Sequence, residues 1–142
     1  KNIRSVSDLA QEGVRIVNRP LNTGTRLLFD YEISKSEISA DDIAGYDLEV
    51  GRHLEAGLAV LGKKADAAPA IRPVAELLGL DFIPLRWERF DLLINRDRFF
   101  EPPVQRFINL LHDPSFKEIA KEFVGYDLSV CGKMIYPDNL KI

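Results

Sequence analysis

The sequence predicts an α/β domain, a sheet with helices on both faces. Three features carry this expectation. The run "VRIVN" (14–18) alternates and is β-branched, as a strand is. Runs such as "RHLEAGLAVLG" (52–62) repeat leucine at helical spacing. Strand-like and helix-like runs then alternate along most of the chain. With 142 residues, 46% of them hydrophobic, the chain is long and apolar enough to bury a sizeable core, which excludes disorder.

The elements follow in order. The first strand stops at Arg19-Pro20. A helix is expected over 24–35, with Leu27, Leu28 and Tyr31 on one face. "SADD" (39–42) resembles a capping box opening a short turn that Gly45 ends. "YDLEV" (46–50) reads as a short strand. The helix over 52–62 carries Leu54, Leu58 and Leu61, and Gly62 closes it. "ADAAPA" (65–70) is a small-residue strand and loop. Pro73 suits the first turn of a helix reaching Leu78, with Gly79 as its stop. "DFIPL" (81–85) is a strand, and "RFDLLIN" (89–95) another, with the near-continuous apolar run of a buried one. Two helices follow over 102–112 and 115–123, with Ser115 as N-cap of the second. From Gly125 the chain has no period, and with Gly132 and Pro137 it is expected to be coil.

Charge and cysteine narrow the function. The net charge is −3 with 29% charged residues, a balance unlike that of a general nucleic-acid binder. No apolar run approaches a membrane span. The single Cys131 cannot form an internal disulfide, which fits a reducing, cytoplasmic compartment without excluding the periplasm. Two isolated histidines and one cysteine give no zinc spacing, and no base is paired to a nucleophile. An enzyme is therefore not expected, and no cofactor is called for. Asp66 reads as structural, because a carboxylate would repel an anion, and Trp87 as a packing residue.

The stretch "NRPLNTGTR" (18–26) concentrates chemistry at one helix start. Free backbone N–H groups and the helix dipole attract anions there. Thr23 and Thr25 add hydroxyls, Gly24 allows close approach to the backbone, and Arg26, with Arg19, supplies charge. Arg26 is expected to serve a ligand rather than fold stability. A plain helix cap accounts for the same nine residues, and the spacing is not that of a P-loop.

Taken together, "GVRIVNRPLNTGTRLLFDY", "IAGYD", "HLEAGLAVLGKKADAAPAI", "AELLGLDFIPLRWERFDLLI" and a closing "GYD" resemble the periplasmic-binding-protein-like, molybdate-binding-like domain. Such domains are fused to molybdopterin molybdotransferases or to helix-turn-helix regulators. The similarity runs from about Ser7 to Asp127. It implies a type 2 fold, in which two α/β lobes with mixed sheets clamp an anion. Residues 1–88 would form a complete ligand-binding lobe. Residues 89–142 would supply the return strand and C-terminal helices of a second, incomplete lobe.

The family's "NR…SGTR" falls on Asn18, Arg19, Thr23, Gly24, Thr25 and Arg26. Its "THLAVA" falls on 52–57, so the hydroxyl before His53 becomes Arg52. Its "GRADAGLG" becomes "KKADAAPA". The resemblance thus implies a non-enzymatic sensing domain for molybdate, tungstate or a related anion, with Thr23, Gly24, Thr25, Arg26, Arg19 and Arg52 at the ligand. It also implies a lobe segment ahead of the region matching Lys1, so that a missing N-terminal segment or a second copy of the chain would cover the "RFDLLIN" strand. The competing expectation is an assembly module that has lost binding, which the Arg52 and "AAPA" departures favour.

Overall fold

The computed structural model describes residues 1–134. The chain divides into two compact units, Lys1–Arg86 and a second beginning at Trp87. Among the described residues there are five α-helices: α1 (Gly24–Ser34), α2 (His53–Leu61), α3 (Arg72–Leu78), α4 (Pro102–His112) and α5 (Pro114–Lys121). Short 3-10 turns occupy Val6–Ala10, Ala40–Asp42 and Arg96–Arg98. No helix among the described residues is long and apolar enough to cross a membrane.

The expected sheet is not there. Among the described residues, pairing is confined to two isolated parallel bridges, Ile16 with Ala67 and Asn18 with Glu49. The mixed-sheet lobe with helices on its two faces is therefore corrected to a helical architecture around short extended segments. The cause is local. Residues 14–18 are extended, but each neighbour touches them only briefly. On one side Ile16 N–H donates to Ala44 O (2.8 Å), Asn18 N–H to Leu48 O (2.7 Å) and Val50 N–H to Asn18 O (2.9 Å). On the other, Asp66 N–H donates to Arg15 O (2.7 Å) and Val17 N–H to Ala67 O (3.3 Å). The chain then leaves for α2 or for the loop before α3, before a ladder can extend. Residues 81–85 and 89–95, read as two strands, belong to no strand or bridge among the described residues. A strand needs a neighbour for its N–H and C=O groups, and a β-prone sequence does not provide one.

The alternation in "VRIVN" still directs packing. Val14 and Ile16 enter a cluster with Leu9, Phe29, Ile33 and Ile43. Val17 enters a second with Ala59 and Ala65. Thus α1 and the 40s turn supply one cluster, and α2 the other. Gly45 permits the 40s turn to sit against the first segment: its φ is +86°, and a Cβ there would lie 2.1 Å from Ile16 O. Gly57 does the same for two helices, since a Cβ would meet Val74 and Leu78 of α3 at 2.6 and 2.7 Å.

Both helical faces expected in the first unit are reversed. On α1 the buried residues are Arg26, Phe29 and Ile33, while Leu27 is 71% exposed. On α2 they are Ala56, Gly57 and Ala59, and Leu54, Leu58 and Leu61 lie about half exposed. Small residues on α2 let α3 approach closely, and this contact outranks the leucine stripe.

Helix ends follow the sequence more faithfully. Thr23 caps α1, Ser39 caps the 40s turn, Pro73 lies in the first turn of α3, and Gly79 ends it in the left-handed conformation. One cap differs. Helix α5 begins at Pro114, and its N-cap is Asp113, which accepts from Ser115 N–H at 2.7 Å. Proline preorganises N1, so the cap falls two residues earlier. In the second unit neither α4 nor α5 has a buried residue, and Trp87, read as packing, is 72% exposed. The coil expected after Gly125 is seen to Met134, with a tight turn at Gly132 against His112 at the end of α4. Pro137 lies outside the described residues.

Candidate functional site

Parallel pairing decides where chemistry gathers. Residues 14–18 and 46–50 run in the same direction through the Asn18–Glu49 bridge. The loops leaving them therefore emerge at one end, and these loops start α1 and α2. Asn18 fastens the junction. It is fully buried, donates from Nδ2 to Tyr46 O (3.0 Å), and accepts Arg19 N–H at Oδ1 (2.8 Å). A buried amide with its groups satisfied fixes one geometry.

At the α1 end, Thr23 is committed to the turn. Its hydroxyl donates to Pro20 O (2.8 Å) and accepts Arg26 N–H (3.3 Å). The first backbone bond of the helix runs from Leu27 to Thr23 O (3.1 Å), so the Gly24 and Thr25 amides precede it. Gly24 is exposed, and Thr25 partly so.

Arg26 is engaged in ion pairs within the fold, a role the sequence expectation did not give it. It is 3% exposed. Its Nε donates to both Asp30 oxygens (2.9 and 3.0 Å), and its Nη1 to Arg19 O (3.1 Å) and Glu49 Oε1 (3.5 Å). The guanidinium lies 4.3 Å from the Tyr46 ring centre, and Tyr46 Oη donates to Asp30 at 2.6 Å. Burial opposes its charge, but the contacts with Tyr46 and Asp30 prevail and hold it above its ordinary pKa. Tyr46 is likewise raised, by burial first and then by its bond to Asp30. Asp30 lies one turn along the same helix, but the rest of the network is hidden from sequence, because Tyr46 and Glu49 belong to the separate segment 46–50.

Arg19 is different. It is 6% exposed, and its Nη1 donates to Val50 O at 3.2 Å. Its Nε is buried and has no hydrogen-bond partner among the described residues. One other side-chain atom shares that condition, Nδ1 of His53 in the first turn of α2. The two groups sense each other. Burial lowers the His53 pKa first, and the Arg19 charge lowers it further. Arg52, the N-cap of α2, is exposed; its N–H donates to Glu55 Oε2 at 3.1 Å.

The structure thus brings Arg19 to the start of α2 and gives Arg26 to the fold. Asp66 holds Lys1 Nζ (2.7 Å) and Arg15 N–H (2.9 Å), and its pKa is lowered by those partners, Lys1 foremost. The sequence leaves His53 open between a crevice residue and a helix-surface histidine; its place just after the extended segment 46–50 is the signal for the former. A groove in the second unit, lined by Phe116, Ile119, Ala120, Phe123, Tyr126 and Leu128, has no charged group for an anion.

Comparison with known proteins places the chain. The family described as the PBP superfamily domain matches residues 1–112. An uncharacterized protein of Clostridium pasteurianum, from the 5′ region of a 2Fe-2S ferredoxin gene, is 30% identical over 110 residues, which are 77% of this chain and 97% of that one. Uncharacterized protein YvgK of Bacillus subtilis strain 168 is 29% identical over 135 residues. That match covers 95% of this chain but 43% of YvgK, so the chain spans less than half of that relative's length. No solved structure matches significantly. The family match covers well over half the chain, and so the chain belongs to the PBP (periplasmic-binding-protein) superfamily.

Proposed function

We propose that this chain is a ligand-binding domain with no catalysis of its own, taking a small oxyanion of the molybdate or tungstate class, and that it works within a longer regulator or molybdenum-cofactor protein. Its superfamily generally binds rather than catalyses. The observation that carries the reading is Arg19: a nearly buried guanidinium whose Nε has no partner. Buried donors are seldom left unsatisfied, and a charged one is the costliest to leave so. An oxyanion between Arg19 and the start of α2 meets that Nε, and it also meets amides carrying partial positive charge. Gly24 and Thr25 amides at the α1 start, and Arg52 at the rim, complete the donor set. Arg26 contributes by holding the Arg19 carbonyl.

Titration calorimetry with molybdate, tungstate and sulfate tests this. A charge-assisted hydrogen bond is worth about 1.5–3 kcal/mol, so Arg19→Gln is expected to weaken binding by about 10- to 150-fold. Absence of binding of all three anions by the unmodified chain overturns the proposal.

A second reading, an assembly role, is favoured by the second unit. Phe90 is 90% exposed and Leu93 99%, and α4 and α5 bury no residue. Large apolar side chains left in water forfeit roughly 1.5–3 kcal/mol each. A further segment or a second copy would recover that.

A further inference from the structure

We infer that the oxyanion is taken up together with one proton, which His53 receives from solvent. This rests on the reading of the Arg19 end as an anion site and states how that site is regulated. Three observations meet here. His53 stands in the first turn of α2, where the amides have no intrahelical acceptor. Its Nδ1 is buried without a partner. Arg19, bonded to Val50 O three residues earlier, presents the other unpartnered buried nitrogen.

Four charged groups lie around this end. Arg19 comes from the extended segment, Arg52 from the cap, and Glu55 from α2 itself. The Glu55 carboxylate is engaged by Arg52 N–H at 3.1 Å. Glu49, from the neighbouring extended segment, is turned to Arg26. With no ligand, burial first and then the Arg19 charge disfavour the protonated ring.

In its Nε2–H form the neutral ring offers a lone pair at Nδ1; in its Nδ1–H form it donates to the oxyanion but adds no charge. That lone pair faces an oxyanion oxygen unfavourably. A dianion reverses the balance, because it offsets Arg19 and adds negative charge beside the ring. The ring then takes a proton at Nδ1 from the buffer acid in solution, which is left as its conjugate base, and the new N–H donates to the oxyanion.

The test is titration calorimetry of the full chain with molybdate, and with sulfate as a second dianion. Two buffers of different protonation enthalpy are used, between about pH 8 and about pH 6. The free-state ring lies below its ordinary value of 6.5 and is raised by the ligand, so affinity rises as pH falls through this window. The expected result is uptake of about one proton per anion, with affinity climbing by up to about tenfold per pH unit. His53→Gln is expected to bind at about pH 6 no more tightly than the unmodified chain does at about pH 8, and to lose both the pH slope and the buffer-dependent heat. Binding by the unmodified chain with no proton uptake overturns this inference alone, and so does an unchanged slope in His53→Gln. No binding at any pH overturns the underlying anion site with it.

Discussion

Replacing Arg26 with glutamine removes the densest side-chain junction in the first unit. The variant loses the fork to Asp30, the bond to Arg19 O, the longer contact with Glu49 and the stacking on Tyr46. Breaking a buried ion pair from one side costs about 3–5 kcal/mol. That is a ceiling here. The side chains of Asp30 and Glu49 are 33% and 39% exposed, so water compensates both in part, and Tyr46 Oη still donates to Asp30. The expected loss is therefore about 2–3 kcal/mol. A unit of this size shifts by about 4–8 °C per kcal/mol, so the thermal midpoint is expected to fall by about 10–20 °C. Circular dichroism during heating and urea titration both measure it. A cycle with Asp30→Asn isolates the pair, with an expected coupling of about 1 kcal/mol. A loss within about 0.5 kcal/mol, the range of an ordinary surface substitution, would refute the reasoning and return Arg26 to a solvated or ligand-serving role.

Gly45→Ala combines a positive φ with a Cβ lying 2.1 Å from Ile16 O. Left-handed backbone alone costs roughly 1–2 kcal/mol, so a total loss above about 2 kcal/mol is expected in urea; an unchanged midpoint means the 40s turn is not seated on Ile16. For assembly, light scattering over a range of concentrations is expected to show a two-fold dimer. Serine at Phe90 and Leu93 together is expected to shift it toward monomer, and a monomer at every concentration refutes self-association.

Local chemistry was legible in the sequence. Helix spans and most caps depend on residues a few positions apart, so Thr23, Ser39, Pro73 and Gly79 announce their roles. The likeness to the binding-protein family was legible too, because it rests on the order of several motifs. Asn18-Arg19 and Thr23-Gly24-Thr25-Arg26 were picked out as a group, but their roles could not be divided. Whether an arginine meets a carboxylate or stands unpartnered depends on what another segment brings to it. Arg26 finds Asp30 one turn along its own helix, and Glu49 across the fold; Arg19 finds a carbonyl and nothing for its Nε.

The tertiary structure decided the rest. Periodicity marks which residues lie on one helical face, but not which face is turned inward. On α2 the buried face is the one where Gly57 admits Val74 and Leu78, so three leucines stay outside. Alternation at 14–18 marks an extended segment. A sheet needs neighbours that stay beside it for several residues, and the segments at 46–50 and 65–67 turn away after two or three bonds. The sequence by itself determined the helices, the caps and the family, because these are carried by short-range chemistry and motif order. Pairing, facing and the unsatisfied Arg19–His53 pair were left to the tertiary structure, because each depends on a partner distant in the chain.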